Sequence, residues 1–379
     1  MKLLIISHPC TTSVNQQFYA EVEQRTGWNL TIITPSNWKN EYGQVLSPER
    51  WSTYQGEFKT IPVWNTGNIP LHLYRSTFIQ LLQALQPDAI YVHHEPYALA
   101  TAQIYLANQL TLQRPIGFYS AQNIFKTYPL PIRWIEQMVF QSSSFAFPVS
   151  HSVEAVLSKK GFARSTVLPL GIDPSLYKPH SDADTIRQSL KRSPDQVLIG
   201  YLGRISEEKG LKTLLYALKQ IESLPWRLIV VGAGTDEAEF QTIAQSLKLD
   251  DRIQSLGFIP HTEAPRYLSA FELLVLPSET RPHWKEQFGR VLIEAIACGT
   301  PVIGSDSGEI PYLIQATNGG LIFPEADAAA LADRLKTLIR DSTLRQTFVH
   351  QARPYVLQHY TTPAIAQSFI QTLQSTTSP

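Results

Sequence analysis

The chain is poor in sulfur, with two cysteines and two methionines in 379 residues. Cys10 and Cys298 lie far apart, so one pairing is conceivable, but neither a disulfide framework nor a cysteine-based metal site can be built from them. The chain also lacks an excess of either charge, with 32 basic and 32 acidic residues. Residues 1–180 carry 13 basic and 10 acidic side chains, which leaves 19 and 22 for the remainder. That asymmetry is too small for a nucleic-acid-binding surface, and no nucleic acid partner is expected. The mildly basic first half leaves peripheral contact with an anionic membrane face open. No apolar run approaches the roughly 20 residues of a membrane span, and the run Leu3 to Ile6 is too short for a signal-peptide core. The expectation is a cytoplasmic protein, with contact at the inner membrane face left open.

What is present fits a two-domain α/β protein. A length of 379 residues exceeds what one hydrophobic core usually serves. In the second half, Val197–Leu202, Arg227–Val231, Arg252–Phe258, Glu272–Leu276 and Pro301–Gly304 read as buried strands. Leu211, Leu214, Leu215 and Leu218 fall at i, i+3, i+4 and i+7, the apolar stripe of a helix. Further helices are expected near 237–247, 263–271, 289–298 and 308–314. The first half repeats the rhythm, with strands at Leu3–Ile6, Leu30–Thr34, Ala89–Val92, Ile116–Tyr119, Ala146–Val149 and Val167–Leu168. Helices are expected near 15–25, 76–85, 97–109, 132–140 and 153–160. The helix at 132–140 carries only Arg133 and the nearby Lys126 as positive charges, so a core-facing role is favoured over a membrane-surface one. Residues 36–70, rich in Trp, Tyr, Pro, Asn and Gly, read as mostly irregular, and Pro179–Pro194 reads as a polar linker with a short helix. Strands alternating with helices indicate parallel sheets covered on both faces, that is, doubly wound Rossmann-like domains. Ligands of such sheets bind beyond the carboxyl ends of the strands.

Chemistry-bearing residues cluster at those ends. The segment 284–295 holds two glutamates, Glu286 and Glu294, around Phe288-Gly289-Arg290 at a helix start. A helix N-terminus with unpaired N–H groups can hold phosphate, and the carboxylates can accept hydrogen bonds from sugar hydroxyls. Glu294 sits in an apolar helix, where a carboxylate must be paired or liganded unless it faces water. For Glu286 the plain alternative is a favourable helix-dipole carboxylate. After the strand at 197–202, Gly203 permits a tight turn, and Arg204 and Lys209 bring two positive charges suited to a diphosphate. Their plain alternative is a surface pairing with Glu207 or Glu208. Paired carboxylates also raise glycoside hydrolysis, which would leave the basic pair without a role. Gly232-Ala233-Gly234 hints at a dinucleotide fingerprint, but Glu237 stands at the third glycine position, so it reads as a tight turn. In the first half His93, His94 and Glu95 end a strand and could receive an acceptor hydroxyl or assist proton transfer. Cap residues before a helix are the plain alternative. Gln122 and Asn123 end another strand and offer amide hydrogen bonds or simple turn chemistry.

Taken together, Gly203-Arg204, Lys209-Gly210, Glu286 with Glu294 eight positions on, and Gly299-Thr300-Pro301-Val302-Ile303 resemble the retaining glycosyltransferases of family 4, which have the GT-B architecture. Pro169-Leu170-Gly171-Ile172-Asp173 is similar to that family's Pro-Asn-Gly-Val-Asp, and Ser305 to Pro311 matches its loop after the glycine–proline strand. The resemblance spans essentially the whole chain. It implies two Rossmann-like domains facing across a cleft, an acceptor-side domain at 1–180 and a nucleotide-sugar domain at 181–355, with a last helix at about 356–379 packing back on the first. It implies hexosyl transfer from a nucleoside-diphosphate sugar, UDP- or GDP-linked, with no bound metal or other cofactor. Arg204 and Lys209 would hold the diphosphate, Glu294 the ribose hydroxyls and Glu286 the transferred sugar. Backbone N–H groups of Phe288, Gly289 and Arg290 would touch sugar or phosphate, and the base would lie near Phe258.

The first domain departs from the pattern. The paired glycines usual after the first strand are replaced by Ser7-His8-Pro9-Cys10-Thr11-Thr12, and the usual histidine of a later strand end by Gln122, next to Asn123. His94 and Glu95 then stand as acceptor-side catalytic candidates beside Arg204, Lys209 and Glu286. The acceptor expected from the resemblance is a glycan or lipid-linked sugar in polysaccharide or glycolipid assembly. A nucleotide-sugar epimerase or hydrolase on the same fold, and a non-catalytic nucleotide-sugar-binding protein, are the alternatives.

Overall fold

Runs of aliphatic residues buried on both faces build two parallel sheets. The structure, a computed structural model, describes residues 1–40, 43–190 and 192–377. Glu41 and Tyr42 of the segment read as irregular, Lys191 of the linker segment, and Ser378 and Pro379 of the last helical segment lie outside the described residues. The chain divides into two compact units, Met1–Gly171 with Thr362–Pro379, and Ile172–Thr361.

Unit 1 holds β1 (Lys2–Ser7), β2 (Asn29–Pro35), β3 (Glu57–Ile61), β4 (Ala89–His93), β5 (Ile116–Ser120) and β6 (Phe145–Pro148). They pair in parallel in the order β6-β5-β4-β1-β2-β3. Leu3 registers with Leu30 on one side and Ala89 on the other. Leu3, Leu4, Ile5 and Ile6 are all buried, as expected of a central parallel strand covered on both faces. Helices α1 (Gln17–Thr26), α2 (Phe78–Leu85), α3 (Leu99–Leu110), α4 (Ile132–Ser142) and α5 (His151–Lys159) cover the sheet. Successive strand residues point to opposite faces. Leu3 and Ile5 pack with Tyr19, Ala20 and Val22 of α1, whereas Leu4 and Ile6 pack with Phe78, Leu82, Ile104 and Val139 of α2, α3 and α4. The helices leaving the neighbouring strands β1 and β4 therefore cover opposite faces. Trp134 on the outer side of α4 is exposed.

One expectation for this region is refined and one is corrected. The described residues of 36–70 are mostly irregular, as expected, but they also supply β3 and parts of two short antiparallel ribbons, Trp38–Lys39 with Val45–Leu46 and Val63–Trp64 with Leu73–Tyr74. β3 is an outer strand with no fully buried residue, so it lacks the continuous apolar run that marked its neighbours. Val167–Leu168 is not a strand. This stretch follows β6 through Thr166 N–H to Ala146 O (3.0 Å) and Leu168 N–H to Pro148 O (2.9 Å), with one isolated bridge at Ser165.

Unit 2 holds β7 (Val197–Leu202), β8 (Trp226–Val231), β9 (Ile253–Gly257), β10 (Leu273–Leu276), β11 (Val302–Ser305) and β12 (Gly320–Phe323). Their parallel order is β9-β8-β7-β10-β11-β12. The helices are α6 (Ala183–Ser189), α7 (Leu211–Gln220), α8 (Glu237–Ser246), α9 (Ala264–Ala270), α10 (Arg290–Ala297), α11 (Ile310–Thr317), α12 (Ala328–Arg340) and α13 (Ser342–His359). The α7 stripe Leu211, Leu214, Leu215 and Leu218 packs with Val197, Ile199 and Tyr201 of β7. The linker segment is fastened to this unit, with Arg187 Nε donating to Ala270 O (2.8 Å) and Arg266 paired with Asp182 (2.6 Å).

Both sheets thus carry the strand order 3-2-1-4-5-6, counted within each unit. The order reverses between β1 and β4 in unit 1 and between β7 and β10 in unit 2, and ligands of such folds bind beyond those strand ends. Cys10 and Cys298 are both free and buried. Among the described residues no helix is long and apolar enough to cross a membrane.

The last helix, α14 (Thr362–Thr377), belongs to unit 1. Its Ile365, Phe369, Ile370 and Leu373 pack with Leu3, Ile5 and α1. The Phe369 ring lies 5.0 Å from Phe147, 5.3 Å from Phe18 and 5.4 Å from Tyr91. Removing a buried phenylalanine ring from such a cluster costs about 3–5 kcal/mol. Phe369→Ala should therefore lower the denaturant midpoint of the unit 1 unfolding transition, and an unchanged midpoint would show that α14 contributes little to that core.

Candidate functional site

In unit 2 two of the residues singled out by sequence, Lys209 and Glu286, meet where the strand order reverses. Gly203 follows β7 directly, and its N–H donates to Val231 O (3.0 Å). The next loop is clamped to the one after β8, with Ile205 N–H to Ala233 O (3.0 Å) and Asp236 N–H to Ile205 O (3.2 Å). A Cβ at Gly232 would lie 1.8 Å from Gly203 O, so this glycine serves close packing of two strand ends. Arg204 is partly exposed and pairs with Glu208 (3.3 Å), one of the surface partners expected for it. Lys209 turns inward instead. Its Nζ lies 2.7 Å from Glu286 Oε2 and 4.6 Å from the centre of the Trp284 ring.

Glu286 is buried and its Oε2 also accepts from Ser278 Oγ (2.8 Å). Ser278 stands two residues beyond β10, so the pair joins the ends of the neighbouring strands β7 and β10. The Glu286 backbone is fixed by Gly308, whose φ is +60° and whose added Cβ would lie 1.8 Å from Glu286 O. Glu309 N–H donates to the same carbonyl (3.2 Å). Phe288 is buried, Gly289 occupies the N-cap of α10, and Arg290 opens the helix. Glu294 is buried on α10 and pairs with Arg290 one turn earlier (3.0 Å). His261 Nε2 lies 3.7 Å from Glu294 and 2.8 Å from the Tyr177 hydroxyl. Burial and then the Glu294 charge hold Tyr177 well above the usual tyrosine range. Phe258 is 79% exposed just past β9, a large ring offered to solvent.

Sequence reasoning passed over Ser278, Glu279, His261, Tyr177 and Trp284. Glu279 is buried between Thr213 Oγ1 (2.6 Å) and Arg281 (2.8 Å). Ser278 and Glu279 stand two and three residues beyond β10, and applying the strand-end rule to that short strand would have found them.

In unit 1 His93, His94 and Glu95 point to three separate environments. His93 Nδ1 meets the Tyr19 hydroxyl (2.9 Å), and burial lowers its pKa to about 4. His94 is buried, with Nδ1 2.7 Å from His8 Nδ1 and Nε2 3.2 Å from the Tyr74 hydroxyl. Glu95 accepts from Ser120 Oγ (2.8 Å) and from Ala121 N–H (2.7 Å), which ties β4 to the end of β5. Burial raises its pKa to about 7, against the opposing pull of Ala121 N–H, Ser120 and Lys160. Gln122 shares the Ser120 hydroxyl through its own N–H (3.3 Å) and accepts from Ile124 N–H (3.1 Å). Asn123 is buried. Glu95 and Gln122 are thus brought together, while His93 and His94 turn away from them.

Residues 182–354 match the family model described as Glycosyl transferases group 1. WcaL of Escherichia coli K12, a glycosyltransferase assigned to colanic acid biosynthesis, is 27% identical over 245 residues, covering 63% of this chain and 58% of WcaL. The chain therefore spans little more than half of WcaL's own length. TuaC of Bacillus subtilis 168, a glycosyltransferase assigned to teichuronic acid biosynthesis, is 29% identical over 359 residues, 88% of each chain. Among solved structures, HepE of Anabaena in complex with UDP superposes with a TM-score of 0.78 at 20% identity, over 99% of this chain and 100% of HepE. That likeness shows the fold: two α/β units with parallel sheets, as in GT-B glycosyltransferase structures.

The raised pKa of Glu95 has a consequence for stability. Unfolding returns this carboxyl to its ordinary value near 4.3. The folded chain therefore holds more protons between that value and about 7, and the stability this adds at low pH is lost as pH rises through the interval. Glu95→Gln removes the dependence while keeping an acceptor for Ala121. Denaturant titrations should show the variant gaining about 2–3 kcal/mol on the native chain between pH 5 and pH 8. Parallel pH profiles for the two proteins would refute the assignment.

Proposed function

We propose that the protein is a retaining glycosyltransferase that moves a hexosyl group from a nucleoside-diphosphate sugar to an acceptor hydroxyl in polysaccharide or glycolipid assembly. The observation that carries this reading is the pairing of Lys209 with the buried Glu286 at the reversal point of the unit 2 sheet, with Arg204 and Glu294 in the flanking elements. The match of residues 182–354 to glycosyl transferases group 1 supports it, as do the assigned roles of WcaL and TuaC.

The Lys209 ammonium has three donors, so it can keep Glu286 and still reach a phosphate oxygen. Arg204 supplies the second positive charge, held near the site by Glu208. Together they meet the charge that develops on the diphosphate as the sugar bond breaks, which makes transfer independent of a metal at the phosphates. Glu286, oriented by Lys209 and Ser278, receives sugar hydroxyls. Glu294, fixed by Arg290, receives the ribose hydroxyls, with His261 beside it. N–H groups of Phe288, Gly289 and Arg290 face the donor at the start of α10, and Phe258 lies toward the base. The leaving phosphate takes the acceptor proton on the same face, so no enzyme nucleophile is needed. With the proton delivered to the phosphate, the role left for Glu95 on the acceptor side is to orient the acceptor hydroxyl.

Removing one donor that meets developing charge costs about 10²–10³ in rate. Lys209→Ala and Arg204→Ala should each lower kcat/KM by that order with the fold intact, measured as nucleoside diphosphate released in the presence of acceptor. Native turnover in both variants would sink the role. Glu294→Ala should weaken binding of the free nucleoside diphosphate by about tenfold, or about 1.4 kcal/mol, in calorimetry, and an unchanged Kd would remove it from the site.

A further inference from the structure

We propose that His8, His72 and His94 form a binding site in unit 1 for a borderline divalent transition-metal ion such as Zn2+. The inference goes beyond the transfer reaction and concerns a different set of side chains from those that hold the diphosphate.

The three histidines come from separate parts of the unit. His8 follows β1, His94 follows β4, and His72 immediately precedes the ribbon strand Leu73–Tyr74. The first two flank the point where the strand order reverses in this sheet. One nitrogen from each ring lies within 4.8 Å of the others. The rings are also packed on one another, with centroid separations of 4.8 Å for His8–His94 and 5.0 Å for His72–His94.

The hydrogen-bond pattern is that of a ligand set. His72 Nδ1 lies 2.9 Å from the Ile69 carbonyl, an acceptor only, so Nδ1 carries the hydrogen and Nε2 the lone pair. That Nε2 is buried and has no hydrogen-bond partner, and the residue is 0% exposed. A metal-binding histidine commonly donates its second ring N–H to a backbone carbonyl in this way. His94 places Nε2 against the Tyr74 hydroxyl (3.2 Å), which can accept its N–H, and Nδ1 against His8 Nδ1 (2.7 Å). Two imidazole nitrogens facing at that distance must share one hydrogen, and a cation can take its place. Tetrahedral Zn–N bonds of about 2.0–2.1 Å set neighbouring ligand nitrogens about 3.3 Å apart. The His8–His94 pair therefore opens by roughly half an ångström when loaded. Burial lowers the pKa of all three rings, most for His8 and His94, where neighbouring histidines add to the effect. The ligands are thus neutral without any cost of deprotonation near pH 7. Three imidazoles without a carboxylate favour zinc, copper or nickel over the hard cations Mg2+ and Ca2+.

A bound ion would staple the turn after β1, the segment before the ribbon and the end of β4. The competing account is a packed polar cluster in which the three rings lie against Trp38 and Tyr74 with no ion. The two differ in metal affinity. Untagged full-length protein, stripped with a chelator, is titrated with Co2+ alone and then with Zn2+. The expected result is saturation at one equivalent, with the visible absorption of four-coordinate Co2+, displacement by Zn2+ and a raised Tm. His72→Ala and His72→Gln should each weaken the affinity by at least about tenfold, with far-UV circular dichroism confirming that both fold. His283→Ala, which removes an exposed histidine of unit 2, should leave the affinity unchanged. Absence of saturable binding, or equal affinity in the native chain and both folded His72 variants, overturns the proposal.

Discussion

A parallel sheet whose strand order reverses at its first strand leaves a gap at the reversal that its own connections do not fill. The chains leaving the two neighbouring strands depart to opposite faces, and their first residues diverge. This constraint acts twice in the molecule, between β1 and β4 and again between β7 and β10. In unit 1 it is visible in the packing, with α1 on the face of Leu3 and Ile5 and α3 on the face of Leu4 and Ile6. The polar side chains that matter collect at both gaps: His8 and His94 in the first, Lys209 and Glu286 in the second.

The two gaps are filled by different physics. In unit 2 a buried carboxylate and a partly buried ammonium face each other at 2.7 Å. Desolvating such a pair is expensive, so its contribution to stability is modest and its value lies in orientation. The lysine carries more donors than Glu286 uses, and the carboxylate is fixed by Ser278 and by the backbone at Gly308. Both are therefore held in defined positions, as the proposed anionic, hydroxyl-rich donor requires. In unit 1 the gap is lined by neutral imidazoles and aromatic rings, one with a buried lone pair that meets no donor. That lining is suited to a soft-to-borderline cation and unsuited to a phosphate.

The sequence carried the fold where burial was complete. β1, β7 and β10 are continuous apolar runs, and the leucine stripe of α7 is buried as its spacing predicted. It failed where burial was partial: β3 has no fully buried residue, so nothing in its pattern set it apart from the aromatic and glycine-rich stretch around it. The donor-side candidates were legible because charged residues interrupted apolar runs at strand ends and in a helix. The partners that orient them, Ser278 and His261, were not, because small or isolated polar residues are common in loops and only contact distances reveal their role. In unit 1, adjacency misled. His93, His94 and Glu95 are consecutive, yet His94 turns to His8, away from both neighbours, because successive residues of an extended segment alternate in direction, while His93 and Glu95 are held by different partners, Tyr19 and Ser120. The proximity of His8, His72 and His94 depends on contacts across 86 and 22 positions of chain, which no local pattern encodes.

The central claim is that the gap between β7 and β10 holds the nucleotide of the donor. Hydrogen exchange of the full chain, with UDP and GDP added in turn, tests it directly. The account predicts that at least one nucleotide slows amide exchange in residues 203–210 and 286–294 and leaves the α8 and α12 amides unchanged. Protection confined to unit 1, or no protection with either nucleotide at saturating concentration, would contradict it.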